Sequence, residues 1–293
     1  MTGAEQLRLV VVTFSPGEFL KTLLASVPQA TSRPTAVTVV DNGSTDGTLE
    51  WVRQDPDLTL IETGVNHGYG GAANIGVAAA MEEWLLVVNP DITFEPGSID
   101  ELLAVVQRWP KSGALGPRIH TDDGLLYPSA RELPSIGRGI GHALFGWILP
   151  SNPWTAAYRR ERGVPREGTV GWLSGACLLL RREAFLAVGG FDDRFFMYFE
   201  DTDLCERLAK AGWEIVYAPS ATVVHHGGHA TTRDPALMSR AHHDSAYRYL
   251  AGRYTGSRWA PVRWVLRAGL WARYQLSLRV GRVLHGAKPT RHV

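Results

Sequence analysis

The sequence predicts an α/β fold: a Rossmann-like, mostly parallel sheet flanked by helices, followed by a basic helical segment at the C-terminus. Three observations carry this. Short apolar, β-branched runs alternate with helical stretches from Arg8 to Ile119, and strands that alternate with helices pack as a parallel sheet covered on both faces. The polar motifs stand directly after those runs, where open α/β sheets bind ligands. Charge is divided along the chain. At or before Asp244 there are 29 acidic and 20 basic residues, a net −9, and beyond it ten basic and no acidic ones.

With 293 residues, 45% of them hydrophobic, and 2 cysteines, the chain is long enough to bury most of its surface, which excludes disorder, collagen-like repeats and a disulfide scaffold. Cys177 and Cys205 form no CxxC pair and read as reduced core thiols. Glu5 and the short apolar run Leu9 to Val12 are not a signal peptide.

The elements follow in order. Arg8–Thr13 is a strand ended by Ser15, Pro16 and Gly17, and Glu18–Val27 a helix. Ala36–Val40 is too short for a helix and reads as a buried strand. Helix Thr48–Arg53 pairs with strand Leu58–Glu62, helix Gly71–Glu83 with strand Trp84–Val88, and helix Ser98–Trp109 with strand Ala114–Ile119. His120–Gly168, rich in Pro, Gly and Arg, is a long connection expected to close over a site. A strand Trp172–Leu180, the aromatic loop FFMYF, a helix Asp201–Ala211 and strands near Glu214–Tyr217 and Thr222–His225 complete the body.

Four motifs stand at strand ends. DNGSTDG (41–47) uses the residues that turns and N-caps use; placed after a buried strand, Asp41 can equally accept hydrogen bonds from a nucleobase or ribose. In the Asn66–Asn74 loop Gly68, Gly70 and Ala73 fit G-x-G-x-x-A, with Asp91 about 20 residues on. That makes a dinucleotide site the competitor, except that the fingerprint belongs in the first strand–helix turn and this loop follows the third strand. Asn89-Pro90-Asp91 places a carboxylate beyond a buried run, either as a turn or as an oxygen ligand for Mg²⁺ or Mn²⁺. Glu200, Asp201 and Asp203 open a helix; they complement its dipole, or one of them, shielded by the aromatic loop, serves as a general base. His225, His226 and His229 lack the glutamate of a metalloprotease, so one imidazole beside Asp91 is the better metal reading.

Together, Val11-Val12-Thr13, DNGSTDGT, the Asn66–Asn74 loop, NPD in the place of DxD, GWLSGACLLLRR and FEDTD resemble the inverting family-2 glycosyltransferases of GT-A fold over roughly residues 8–230. GALGPRI, YPSAR, NPWTAAYR and HHGGHATTRDP resemble more closely the branch that builds the actinobacterial cell-wall linker. The resemblance implies a metal-dependent, inverting rhamnosyltransferase that uses dTDP-β-L-rhamnose as donor and N-acetylglucosaminyl-diphospho-decaprenol as acceptor. Asp201 is the implied base with Glu200 as its alternate. Asp91, with His225, holds Mg²⁺ or Mn²⁺. Thr13, Asp41, Asn42, Asn66, Gly68, Asn74, Asn89 and Arg233 bind the nucleotide sugar. Trp172, Ser174 and Gly175 line the meeting point of donor and acceptor. Asn89 in place of the first Asp of DxD leaves Asp91 as the carboxylate for the ion.

The implied organisation is a catalytic domain, 1–233, with a nucleotide half to about 119 and an acceptor half beyond, then a membrane-associating segment, 234–293. In that segment Arg258, Arg263, Arg267, Arg273, Arg279 and Arg282 interleave with Trp259, Trp264, Trp271 and Tyr274. No stretch there reaches about 18 residues without a charge, so it is expected to lie on an anionic membrane, at the cytoplasmic face of the plasma membrane. The net −9 of the body argues against nucleic acid as partner.

Overall fold

The computed structural model describes residues 7–134, 165–227 and 235–286. Strands β1 (Leu7–Thr13), β2 (Thr35–Asp41), β3 (Leu58–Glu62) and β4 (Trp84–Val88) are the parallel half of a ten-stranded sheet, and β5 is Ile92–Phe94. In β4 all five residues are buried, as an apolar run covered on both faces requires. β6 (Ser112–His120), β11 (Cys177–Arg181) and β12 (Glu214–His225) continue the sheet, giving the order β3-β2-β1-β4-β11-β6-β12-β5. β7 (Leu126–Tyr127) and β9 (Gly168–Thr169) pair with β6 and β12, while β8 (Ala130–Arg131) and β10 (Trp172–Leu173) form a separate small sheet.

Alternation along each strand separates two cores. Leu9 and Val11 of β1 join Leu20 and Leu23 of α1 (Phe19–Ala30) and Ile99 and Leu102 of α4 (Ser98–Arg108) on one face. Val10 and Val12 face α3 (Gly68–Ala78), with Ala184 of α5 (Arg182–Ala187) and Leu204 and Leu208 of α6 (Glu200–Lys210) on that side. α2 is the single turn Leu49–Val52. α3 lies close on the sheet because Gly76 carries no side chain: a Cβ there would stand 2.6 Å from Val10 Cγ1 and Val40 Cγ2. Cys177 and Cys205 are free and buried, and burial pushes the Cys205 thiol up to about 12, so neither is primed as a nucleophile.

Three expectations need correction. The run Trp172–Leu180 is two strands, broken at Ser174–Ala176, and β11 runs antiparallel to both β4 and β6. The helix expected over Gly71–Glu83 begins at Gly68 and ends at Ala78, because the Asn66–Asn74 loop is its first turns. The strands expected near Glu214 and Thr222 are one irregular strand, with a register shift between Ala218 and Thr222.

The chain divides into two compact units, Met1–Phe196 with Glu200–Ala230, and Met197–Phe199 with Thr231–Val293. Within the second, helices α7 (Pro235–Arg253) and α8 (Ala260–Gly286) pack together. Tyr198 and Phe199 hold left-handed backbone (φ 67° and 66°), and both rings sit edge-on to His242. Among the described residues no helix is long and apolar enough to cross a membrane.

Candidate active site

The loop after β2 is tied to the loop after β1. Ser15 N–H donates to Ser44 Oγ (2.7 Å), Thr45 N–H returns a bond to Ser15 Oγ (3.0 Å), and Asp46 accepts Gly17 N–H (2.8 Å). Asp41, only 2% exposed, accepts backbone N–H groups of Gly43 (3.0 Å) and Ser44 (3.0 Å) and the Thr13 hydroxyl (3.3 Å). Here Asp41 and Thr13 order the turn that ends β2. Asn42 spends its whole amide on the next loop: it donates to Asn66 Oδ1 (2.9 Å) and Gly68 O (3.0 Å) and accepts His67 N–H (2.8 Å). Asn66 Oδ1 also accepts Gly68 N–H (2.9 Å), while the residue itself stays exposed.

The glycines of this loop are explained by packing. Gly68 has φ +77°, and a Cβ on it would lie 2.1 Å from Phe196 O; one on Gly70 would lie 2.9 Å from Phe191 Cβ. The dinucleotide reading of G-x-G-x-x-A thus loses its main support. Gly68→Ala should be destabilising, since strained backbone alone costs of order 1–3 kcal/mol and the obstacle is backbone that cannot rotate away. Urea unfolding checks this, and a midpoint equal to wild type would refute it. Asn74, expected at the nucleotide sugar, clasps the segment before α6. Its Nδ2 donates to Phe191 O (2.9 Å) and Asp193 Oδ1 (2.8 Å), and its Oδ1 accepts Phe191 N–H (2.9 Å).

Asn89, Asp91 and His225 meet at the ends of β4, β5 and β12. Asn89 N–H donates to Ala176 O (3.0 Å), His225 pairs with Ile92, and His226 N–H donates to Asp91 O (2.9 Å). Asp91 Oδ1 lies 3.2 Å from His225 Nε2 yet is buried without a hydrogen-bond partner, and Asn89 Nδ2 stands 3.5 Å from the same ring nitrogen. An orphaned carboxylate oxygen facing an imidazole nitrogen fits a hard divalent cation completed by substrate phosphate and water. Among the described residues no cluster of three or more ligating side chains exists. His226 is otherwise engaged, between Asp122 and the Thr93 hydroxyl (2.8 Å).

The acid pair lies at the start of α6, beside the break between β10 and β11. Gly175 N–H donates to Asp201 Oδ2 (2.9 Å), and Thr202 N–H and hydroxyl bond Asp201 Oδ1 (2.7 and 3.2 Å). Gly175 packs closely here: a Cβ would approach Asp201 Cβ at 3.3 Å and the Tyr69 ring at 3.4 Å. Ser174 N–H is held by Ser129 O (2.7 Å), and Trp172 lies under the Arg131 guanidinium (5.7 Å). Asp203 is neutralised by Arg207 (2.7 Å), which leaves Glu200 and Asp201 without a cation among the described residues. Burial pushes both carboxyls above their ordinary range, Glu200 furthest, since Asp201 adds repulsion and its Oε2 has no partner; hydrogen bonds from Gly175 and Thr202 restrain Asp201. Asp201 therefore stays the readier proton acceptor.

An acid whose pKa is higher folded than unfolded binds more protons in the native state. The stability it permits at low pH is then lost as pH rises from about 4.3, the ordinary glutamate value, through the folded value. Glu200→Gln should remove this slope, so calorimetry should give it a higher melting temperature than wild type at pH 8 and a smaller advantage at pH 4. The reverse order would refute the raised value.

Sequence reasoning missed two residues here. Tyr69 donates from its hydroxyl to Gly175 O (2.5 Å); burial first, then the charges of Glu200, Cys177, Asp201 and Asp91, push its pKa up and keep it protonated. The aromatic beside the loop glycines was its only signal. Arg118 of β6 has a buried Nε without a partner, and by alternation it shares the face of Gly116, whose missing Cβ makes room for Leu173. Arg233 lies outside the described residues.

A sheet of this order, with carboxylates at the ends of its central strands, defines a GT-A-like glycosyltransferase. Residues 9–189 match the Glycosyl transferase family 2 model, and residues 163–289 match that of Glycosyl transferase family group 2. The chain belongs to glycosyl transferase family 2. It is 52% identical, over 285 residues covering 93% of each chain, to the N-acetylglucosaminyl-diphospho-decaprenol L-rhamnosyltransferase of Mycobacterium tuberculosis (strain CDC 1551 / Oshkosh). To the Rhamnosyltransferase WbbL of Escherichia coli (strain K12) it is 26% identical over 251 residues, 83% of this chain and 92% of that one. Among solved structures, GalNAc-T7 with UDP, GalNAc and Mn²⁺ superposes with a TM-score of 0.58 at 14% identity, over 78% of this chain and 45% of that one. S. aureus TarS 1-349 gives a TM-score of 0.52 at 17% identity, over 82% of this chain and 64% of that one. These structures bear on the fold alone.

Proposed function

We propose that this chain is an inverting, divalent-metal-dependent rhamnosyltransferase that moves L-rhamnose from dTDP-β-L-rhamnose to N-acetylglucosaminyl-diphospho-decaprenol. The observation that carries this reading is the 52% identity over 93% of both chains. Asp201, held by Gly175 and Thr202, takes the proton from the acceptor sugar hydroxyl. That oxygen attacks the anomeric carbon opposite the dTDP group, and the carbon–oxygen bond to dTDP breaks with its electron pair leaving on the diphosphate. The configuration inverts in one displacement. Bound at Asp91 and His225, Mg²⁺ or Mn²⁺ supplies charge neutralisation for the departing diphosphate. Thr13, Asp41, Asn42 and Gly68 order the two loops, and exposed Asn66 meets the nucleotide. Trp172, Ser174 and Gly175 form the wall between donor and acceptor, and Arg118 faces the acceptor diphosphate. Purified protein given the lipid-linked acceptor should consume dTDP-rhamnose and form an α-linked product by NMR. Transfer from another nucleotide sugar in preference, or a β-linked product, would reject the reading.

In the same reading the helical tail docks on the anionic inner face of the plasma membrane. Deleting residues after Gly256 should reduce transfer to the polyprenyl acceptor more than to a short soluble analogue, and salt should release the full chain from anionic vesicles. An equal loss on both acceptors would sink this assignment.

A further inference from the structure

The packed helices α7 and α8 enclose an open cavity of about 550 Å³ within the second unit. Along α7, Arg240, His243 and Tyr247 follow one face, and along α8, Trp264, Arg267 and Trp271 follow another at the same helical spacing. We propose that this groove binds one molecule of an anionic phospholipid whose headgroup carries a free hydroxyl. The proposal rests on the membrane reading of the tail and gives that contact a specific seat.

Each part of the ligand answers a feature of the groove. His243 Nδ1 lies 2.7 Å from the Ser239 carbonyl oxygen. A carbonyl only accepts, so a hydrogen is on Nδ1, and when the ring carries no second hydrogen Nε2 is an acceptor. That Nε2 is buried and has no hydrogen-bond partner among the described residues, and a headgroup hydroxyl donating to it would remove the cost of leaving it bare. Arg267 lies over the Tyr247 ring at 5.7 Å and has no carboxylate partner among the described residues, which leaves its guanidinium for a phosphodiester. The groove's one carboxylate, Asp244, is matched by Arg240 at 3.5 Å, with both side chains more than 70% exposed (71% and 73%), and so offers little repulsion. Trp264 and Trp271 are 74% and 64% exposed, two turns apart on α8. Solvent-exposed indoles at that spacing suit the headgroup level of a bilayer, where they flank the first carbons of the acyl chains. A volume of about 550 Å³ holds a headgroup and glycerol backbone.

The test uses the full chain and phosphatidylcholine vesicles containing an equal mole fraction of phosphatidylglycerol or of phosphatidylethanol, which has the same charge and no hydroxyl. Wild type should bind the phosphatidylglycerol vesicles several-fold more tightly. His243→Ala should abolish that preference while binding phosphatidylethanol vesicles as wild type does. Arg267→Gln should weaken both. Equal wild-type affinity for the two vesicles, or a preference that survives His243→Ala with unchanged thermal melting, would overturn the proposal. Competition by the lipid-linked acceptor at equal mole fraction would also overturn it, by assigning the groove to substrate. Failure to bind anionic vesicles at all would reject the membrane reading itself. Binding without discrimination would reject only the seat.

Discussion

Asp201→Asn is expected to lower kcat by about 10²–10⁴-fold, the usual worth of a general base, and to leave donor affinity near wild type. The amide keeps one acceptor oxygen for the Gly175 or Thr202 N–H, so the loop should hold its place, but it takes no proton. Isothermal titration with dTDP and turnover on the lipid-linked acceptor measure the two effects separately. Glu200→Gln is the control. Glu200 is buried, its pKa is the more strongly raised, and among the described residues no cation pairs with it, so it gives up its proton less readily than Asp201 and is less available as a base. If Glu200→Gln loses turnover and Asp201→Asn does not, the base lies one residue earlier.

Asp91→Ala should weaken donor binding and turnover together, because it removes the carboxylate that meets His225 beside Asn89. At the nucleotide the loss should depend on metal: dTDP affinity with Mn²⁺ or Mg²⁺ should fall to the value wild type shows in EDTA. Asn89→Ala should be milder, an amide being the weaker ligand, and His225→Ala should shift the metal titration. Full wild-type activity in EDTA, unaltered by added cation, would reject the site. The removal also relieves a buried carboxylate oxygen without a partner, so the variant should not melt below wild type, and lost activity cannot then be ascribed to unfolding.

Much of the body was legible from local pattern. The continuous buried run Trp84–Val88 has no other economical conformation, and its bounds, like those of the half-exposed Leu58–Glu62, are those expected. The motifs at their ends follow from chain order alone, since a parallel strand followed by a helix always delivers its next residues to the same edge. Other features were hidden. Trp172–Leu180 is apolar apart from Ser174 and contains no strong breaker apart from Gly175, so nothing local says that Cys177–Arg181 runs antiparallel between β4 and β6. The two asparagines expected at the nucleotide, Asn42 and Asn74, carry the same amide whether it meets substrate or backbone, and in the fold they bind loops.

The sequence by itself determined the class of fold, the edge where chemistry occurs and the residue types gathered there, because hydrophobic period and chain order are local properties. Only the tertiary structure decided how those residues divide the work. Glu200 and Asp201 are neighbours in sequence, yet one is left buried beside a like charge while the other receives N–H groups from Gly175 and Thr202. Asp91 meets His225, 134 positions away, because β5 pairs with β12. Burial, hydrogen bonding and the distance between charges set a carboxylate's proton affinity, and all three depend on which distant strands lie side by side.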